Sequence, residues 1–140
     1  MVLGMADSGV ELIREVLVHG PIARSELSVT LGLSASSLTR IARPYLANGL
    51  LIERGEMRDG SMGRPTKPLE IAANAGRVVG VKLTGERAHL VLVDLQANEL
   101  VRRDEQLVST DPESVATQVS QLARQMQFAD GGSKLLGLCV

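Results

Sequence analysis

With 140 residues, 44% of them apolar, the chain is long enough for one ordinary domain or two small ones with buried cores. Its formal charge of −1 supplies no overall attraction to a polyanion, so any nucleic-acid binding has to come from a local basic patch. Aromatic residues are confined to Tyr45 and Phe128, which argues against a stacking platform for single strands, and the single Cys139 excludes an intrachain disulfide and a cysteine-based zinc cluster.

Cys139 is expected to act as a small buried hydrophobe. The first residues show no basic start followed by an apolar run, and no stretch approaches membrane-spanning length, so a cytoplasmic protein without membrane contact is expected.

Ser8-Gly-Val-Glu11 places a serine three residues before a glutamate, the spacing of a reciprocal capping box, and predicts a helix start there. Val10, Ile13, Val16 and Leu17 then share a helical face until Gly20-Pro21 stops the run. A second, short helix is expected over residues 24–31, with Leu27 and Leu31 on its buried side and Gly32 just past its end. Ser34 is placed to cap a third helix whose apolar stripe is Leu38, Ile41, Tyr45 and Leu46. Ser28, Gly32 and Leu38 supply a small residue, a glycine turn and an apolar contact at the offsets of a helix-turn-helix. Pro44 removes the bond to the Arg40 carbonyl and predicts a kink beyond the turns that carry the polar face.

That polar face is Ser36, Thr39, Arg40 and Arg43, recurring at i, i+3, i+4 and i+7, with Ser34 and Ser37 at the helix entrance. A solvated face is the ordinary reading of such a stripe. Here the preceding helix and tight turn favour a major-groove reader, in which arginines offer paired donors to guanine and hydroxyls reach phosphate or base edges.

After Asn48-Gly49 the periodicity changes. Residues 50–54 and 67–71 read as the two strands of a long-tipped hairpin, the wing of a winged helix. Its tip carries Arg58, Arg64 and Lys67 against the acid Asp59. Gly63-Arg64-Pro65 is an extended unit suited to placing a guanidinium in a minor groove. The candidate DNA-binding residues are therefore Ser34, Ser36, Ser37, Thr39, Arg40, Arg43, Arg58, Gly63, Arg64, Pro65 and Lys67.

From Asn74-Ala-Gly76 onward, residues 78–83, 88–95 and 100–108 read as three antiparallel strands, the first two joined by Thr84-Gly85-Glu86. Asp111-Pro112-Glu113 opens a helix whose buried face is Val115, Val119, Leu122 and Met126, and Gly131-Gly132 ends it. Residues 135–140 form a last apolar strand. His19 and His89 have no metal-ligating neighbour in sequence and read as structural or exposed, so neither a metal nor a cofactor is expected within this chain.

The winged helix over residues 8–71, together with Val79-Gly-Val-Lys-Leu-Thr-Gly-Glu-Arg87, Leu92-Val-Asp-Leu95 and Leu136-Gly-Leu138, resembles the ROK family, which groups sugar-responsive transcriptional repressors with sugar kinases. The resemblance implies an α+β chain in which a winged helix-turn-helix DNA-binding domain, residues 1–73, precedes a truncated actin-like, ribonuclease-H-like lobe, residues 74–140. It also implies a sugar site and a cysteine-rich zinc motif that lie beyond residue 140. Family kinases carry an Asp-x-Gly-Gly-Thr loop for magnesium and ATP phosphate, whereas the aligned run here is Lys82-Leu-Thr-Gly-Glu86. A cation in place of the acid and a glutamate facing phosphate argue against ATP, leaving a plain hairpin turn.

The expected function is sequence-specific binding of double-stranded DNA by a homo-oligomeric, sugar-responsive repressor, not an enzyme. A sugar kinase with an added N-terminal domain and a winged-helix protein-interaction module are the alternatives. Oligomerisation is expected because half-sites about 34 Å apart multiply affinity.

Overall fold

Helix α1 spans Leu3–His19, α2 Arg24–Thr30 and α3 Ala35–Ala47, followed by strands β1 (Leu51–Glu53) and β2 (Leu69–Ile71). The computed structural model describes residues 3–55, 67–131 and 134–140, and the chain divides into two compact units, residues 1–72 and 73–140.

In the first unit, α1 contributes Leu12 and Val16 to the core, α2 Leu27, and α3 Leu38, Ile41 and Ala42; Leu51, Leu69 and Ile71 close it from the strands. Two expectations for α1 are corrected. The helix begins at Leu3, so Ser8 lies inside it and does not cap it; Met5 and Ala6 favour helix and no proline interrupts them. Its buried side is also turned in part from the expected one: Val16 is buried as expected, but Val10 and Leu17 are exposed while Leu12 is fully buried. Gly9 lies on this buried side, where an added Cβ would stand 2.5 Å from the Tyr45 hydroxyl of α3.

Gly32 (φ +62°) makes the turn between α2 and α3, and Gly49 (φ +77°) follows the end of α3, both in the left-handed region open to glycine. Pro44 lies within α3, yet the helix continues through it to Ala47. β1 and β2 pair antiparallel, with Leu51 opposite Ile71 and Glu53 opposite Leu69. Ile22 adds a third, single-residue bridge by exchanging backbone hydrogen bonds of 3.0 and 2.9 Å with Leu69. Together these elements are a winged helix-turn-helix.

In the second unit, β3 (Arg77–Thr84), β4 (Arg87–Asp94) and β5 (Glu99–Gln106) form an antiparallel meander. Helix α4 (Pro112–Ala129) then crosses to β6 (Leu135–Cys139), which runs parallel to β3 and gives the order β5-β4-β3-β6. Val119, Leu122, Ala123 and Met126 of α4 pack on Val79, Val81, Ala88, Leu90 and Leu92 of the sheet. Asp111 caps α4 by accepting from the Ser114 N–H at 3.0 Å. That bond first, and the Ser114 hydroxyl second, hold the Asp111 pKa below its ordinary value. At the other end of the helix, Arg77 Nε lies 2.5 Å from Asp130 Oδ2 and ties β3 to the end of α4. The expected burial of Cys139 is corrected: it is exposed on β6, whose Leu136 and Leu138 are also exposed.

Asp94 ends β4 and is 9% exposed. Its Oδ1 accepts from the backbone N–H groups of Gln96 (2.8 Å) and Asn98 (3.0 Å), and its Oδ2 from the Asn98 amide (2.9 Å). Burial works to raise its pKa, but these bonds, with the charge of Arg77, outweigh burial and bring it below the ordinary 3.8. A carboxylate with a depressed folded-state pKa stabilises the fold fully above 3.8, and that contribution is lost as pH falls through the depressed value. Urea titrations at decreasing pH should therefore show a loss of stability below pH 3.8 that is smaller in Asp94→Asn; identical acid profiles would remove Asp94 as a source.

Met126 is fully buried, whereas Phe128, two residues on, is 75% exposed. Met126→Ala should cost about 2–5 kcal/mol, and Phe128→Ala should stay within about 0.5 kcal/mol, both read from denaturant midpoints.

Candidate nucleic-acid interface

The exposed side of α3 is fixed by what its other side buries. Leu38, Ile41 and Ala42 face the core, so Ser36, Thr39, Arg40 and Arg43 are all exposed, as the spacing predicts. The Ser34 Oγ accepts from the Ser37 N–H at 3.2 Å, satisfying a free donor of the first turn. It also donates to the Ser37 Oγ (2.9 Å) and lies 3.0 Å from the Ser36 Oγ.

These contacts divide the hydroxyls by role. Ser34, Ser36 and Ser37 are engaged with one another at the helix entrance, Ser36 donating to Ser34, while Thr39 donates its hydroxyl proton to the Ala35 carbonyl at 2.9 Å. Thr39 thus presents acceptor lone pairs and a methyl group outward, and the outward donors of the stripe are chiefly the guanidinium groups of Arg40 and Arg43. Among the described residues, no carboxylate pairs with either arginine. Two cations on one exposed face, neither paired with a carboxylate among the described residues, supply the local patch that the net charge of −1 does not.

A concave surface of about 690 Å³ runs along this face, lined by Ser36, Thr39, Arg40 and Arg43 together with Arg24. No motif or spacing in the sequence marks Arg24 as part of this surface. It begins α2, and its Nη2 lies 2.6 Å from Glu53 Oε1 on β1. Lysine or arginine at a helix start is unremarkable in sequence, and the wing residue that holds it is 29 positions away. On the wing, Arg54 Nε pairs with Glu70 Oε2 at 2.6 Å and Lys67 is exposed just before β2. Arg58, Gly63, Arg64 and Pro65, also expected to contact DNA, lie outside the described residues.

In the second unit, Lys82, Thr84, Gly85 and Glu86 are exposed at the β3–β4 hairpin, where Thr84 pairs with Arg87. His89 Nδ1 lies 2.6 Å from Asp104 Oδ1 on the neighbouring strand and its Nε2 3.3 Å from the Thr84 hydroxyl, so its partners are cross-strand. Among the described residues no three histidine, cysteine or acidic side chains gather as a metal site, and no helix is long and apolar enough to cross a membrane.

No family model matches the chain. It is 25% identical over 133 residues to the xylose repressor of Bacillus subtilis, covering 92% of this chain and 34% of that protein. It is 28% identical over 95 residues to a transcriptional regulator of Mycobacterium tuberculosis, covering 66% and 22%. The chain thus spans about a third or less of the length of the curated relatives it matches. Its fold matches a crystal structure of a ROK family transcriptional regulator, a homologue of the E. coli MLC protein, with a TM-score of 0.69 at 19% identity over 97% of this chain and 35% of that one. The resemblance to ROK-family regulators read from the sequence is borne out by these matches.

The cap makes a direct prediction. Ser34→Ala should lower stability by about 1 kcal/mol in urea denaturation, whereas Ser36→Ala should stay within about 0.5 kcal/mol; equal losses would deny Ser34 the capping role.

Proposed function

We propose that this chain carries the DNA-reading head of a sugar-responsive repressor. The observation that supports this most directly is the capped helix α3, which turns Thr39, Arg40 and Arg43 outward together beside a wing. In this reading Arg40 and Arg43 donate to base edges or phosphates of the major groove, Thr39 meets a thymine methyl or a donor group, and Ser36 reaches phosphate. Ser34 and Ser37 set the helix entrance. Lys67, with Arg58 and the Gly63-Arg64-Pro65 unit, holds the wing to the backbone or minor groove.

Residues 74–140 begin an effector and oligomerisation domain, and two copies of residues 1–73 read half-sites about one helical turn apart. The responsiveness to sugar rests on the xylose repressor among the relatives, and the sugar site itself requires residues beyond 140. The protein is not an enzyme in this reading. Lys82 and Glu86 stand at the hairpin where a kinase of the resembling family presents an acid for magnesium and a phosphate-binding loop.

Duplexes selected from random DNA by the chain give the test, with gel shifts over a salt series. Arg40→Ala should cost about 1–3 kcal/mol on the selected sequence and relax preference at one base position, while Lys67→Ala should weaken all duplexes alike and flatten the salt slope. Equal losses on selected and random duplexes for Arg40→Ala would defeat its role as a reader.

A further inference from the structure

We propose that Arg24 is a further phosphate-positioning residue of the α3 face and that Glu53 restrains it, so that this carboxylate lowers affinity for random DNA. The inference rests on the DNA-reading function proposed above and adds a residue pair to it.

Two observations carry it. Arg24 belongs to α2, yet its side chain lines the same concave surface as Ser36, Thr39, Arg40 and Arg43. It is also the cation of that surface held by a carboxylate, Nη2 to Glu53 Oε1 at 2.6 Å, with the two side chains 30% and 40% exposed. A partly exposed pair of this kind is weakly stabilising and exchanges readily for a competing anion. A guanidinium has five N–H donors, and this bond uses one of them, so the head group remains equipped to bind a phosphate oxygen.

In the free protein Glu53 cancels the charge of Arg24 and adds a repulsive charge beside any approaching phosphate. Loose, non-specific encounters depend almost wholly on counterion release and lose that contribution. When base contacts seat α3 deeply, a phosphate displaces Glu53 and Arg24 is recovered for the complex. The pair therefore widens the gap between selected and random DNA. It also joins α2 to the first wing strand, which places both parts for the same duplex.

The test measures affinity against salt for Arg24→Gln, Glu53→Gln and the double variant, on the selected duplex and on random duplex, with thermal melts to confirm folding. Glu53→Gln should bind random duplex about threefold to tenfold more tightly, with a salt slope steeper by about 0.9, and should narrow the ratio between selected and random DNA. Arg24→Gln should weaken the selected duplex about threefold to tenfold and flatten its slope by about 0.9. The double variant should bind the selected duplex more tightly than Arg24→Gln, whose unpaired Glu53 carboxylate repels phosphate, but more weakly than Glu53→Gln, which keeps the Arg24 cation. If the pair is only a strut, Glu53→Gln and Arg24→Gln will both weaken binding with unchanged slopes, and the inference is overturned. A wild-type chain that retains no duplex at any salt concentration would instead overturn the DNA-reading function itself.

Discussion

The rotation of α3 about its own axis is the constraint on which the rest of the interface depends. Leu38 and Ala42 are almost wholly buried and Ile41 nearly so, and together they fix which side of the helix the solvent sees. Burial of Leu38 and Ile41 contributes roughly 1.5–3 kcal/mol each, and the methyl of Ala42 about 0.8 kcal/mol. Turning the helix by one residue would expose them and press guanidinium groups into an apolar core, at a desolvation cost far above that gain. The cationic face is thus a consequence of the core, with no separate device needed to aim it.

The local polar contacts refine what the core sets. Ser34 and Ser37 are consumed in starting the helix and Thr39 returns its proton to the Ala35 carbonyl, which leaves the two arginines as the strong donors of the stripe. Concentrating positive charge there gives a chain of slightly negative total charge a locally cationic surface. Arg24 and Glu53 add a counter-charged pair at its border, drawn from elements far apart in sequence.

The second unit follows a different logic. Its sheet is covered on one side by α4 through an apolar cluster, while the opposite side carries polar cross-strand pairs such as His89 with Asp104. The buried Asp94 is tolerated because the Gln96 and Asn98 donors satisfy both of its oxygens, and it shapes the turn between β4 and β5. The exposed hairpin around Gly85, flanked by Lys82 and Glu86, offers no cradle of successive glycines for a phosphate.

By itself the sequence determined the order and kind of nearly every element, because the signals are local: the cap at Ser34, the left-handed turn at Gly32, the alternation along β4 and the acid-proline start of α4. It also determined the outward stripe of α3, since helical period alone puts Ser36, Thr39, Arg40 and Arg43 on one side. Tertiary structure decided the rest. The side that α1 buries is set by its packing with Leu12 and Val16 inward and the Tyr45 hydroxyl beside Gly9, and the exposure of Cys139 depends on where the sheet places β6. The single bridge at Ile22 and the Arg24–Glu53 pair likewise arise only when distant segments meet, and no periodicity or spacing encodes such a meeting.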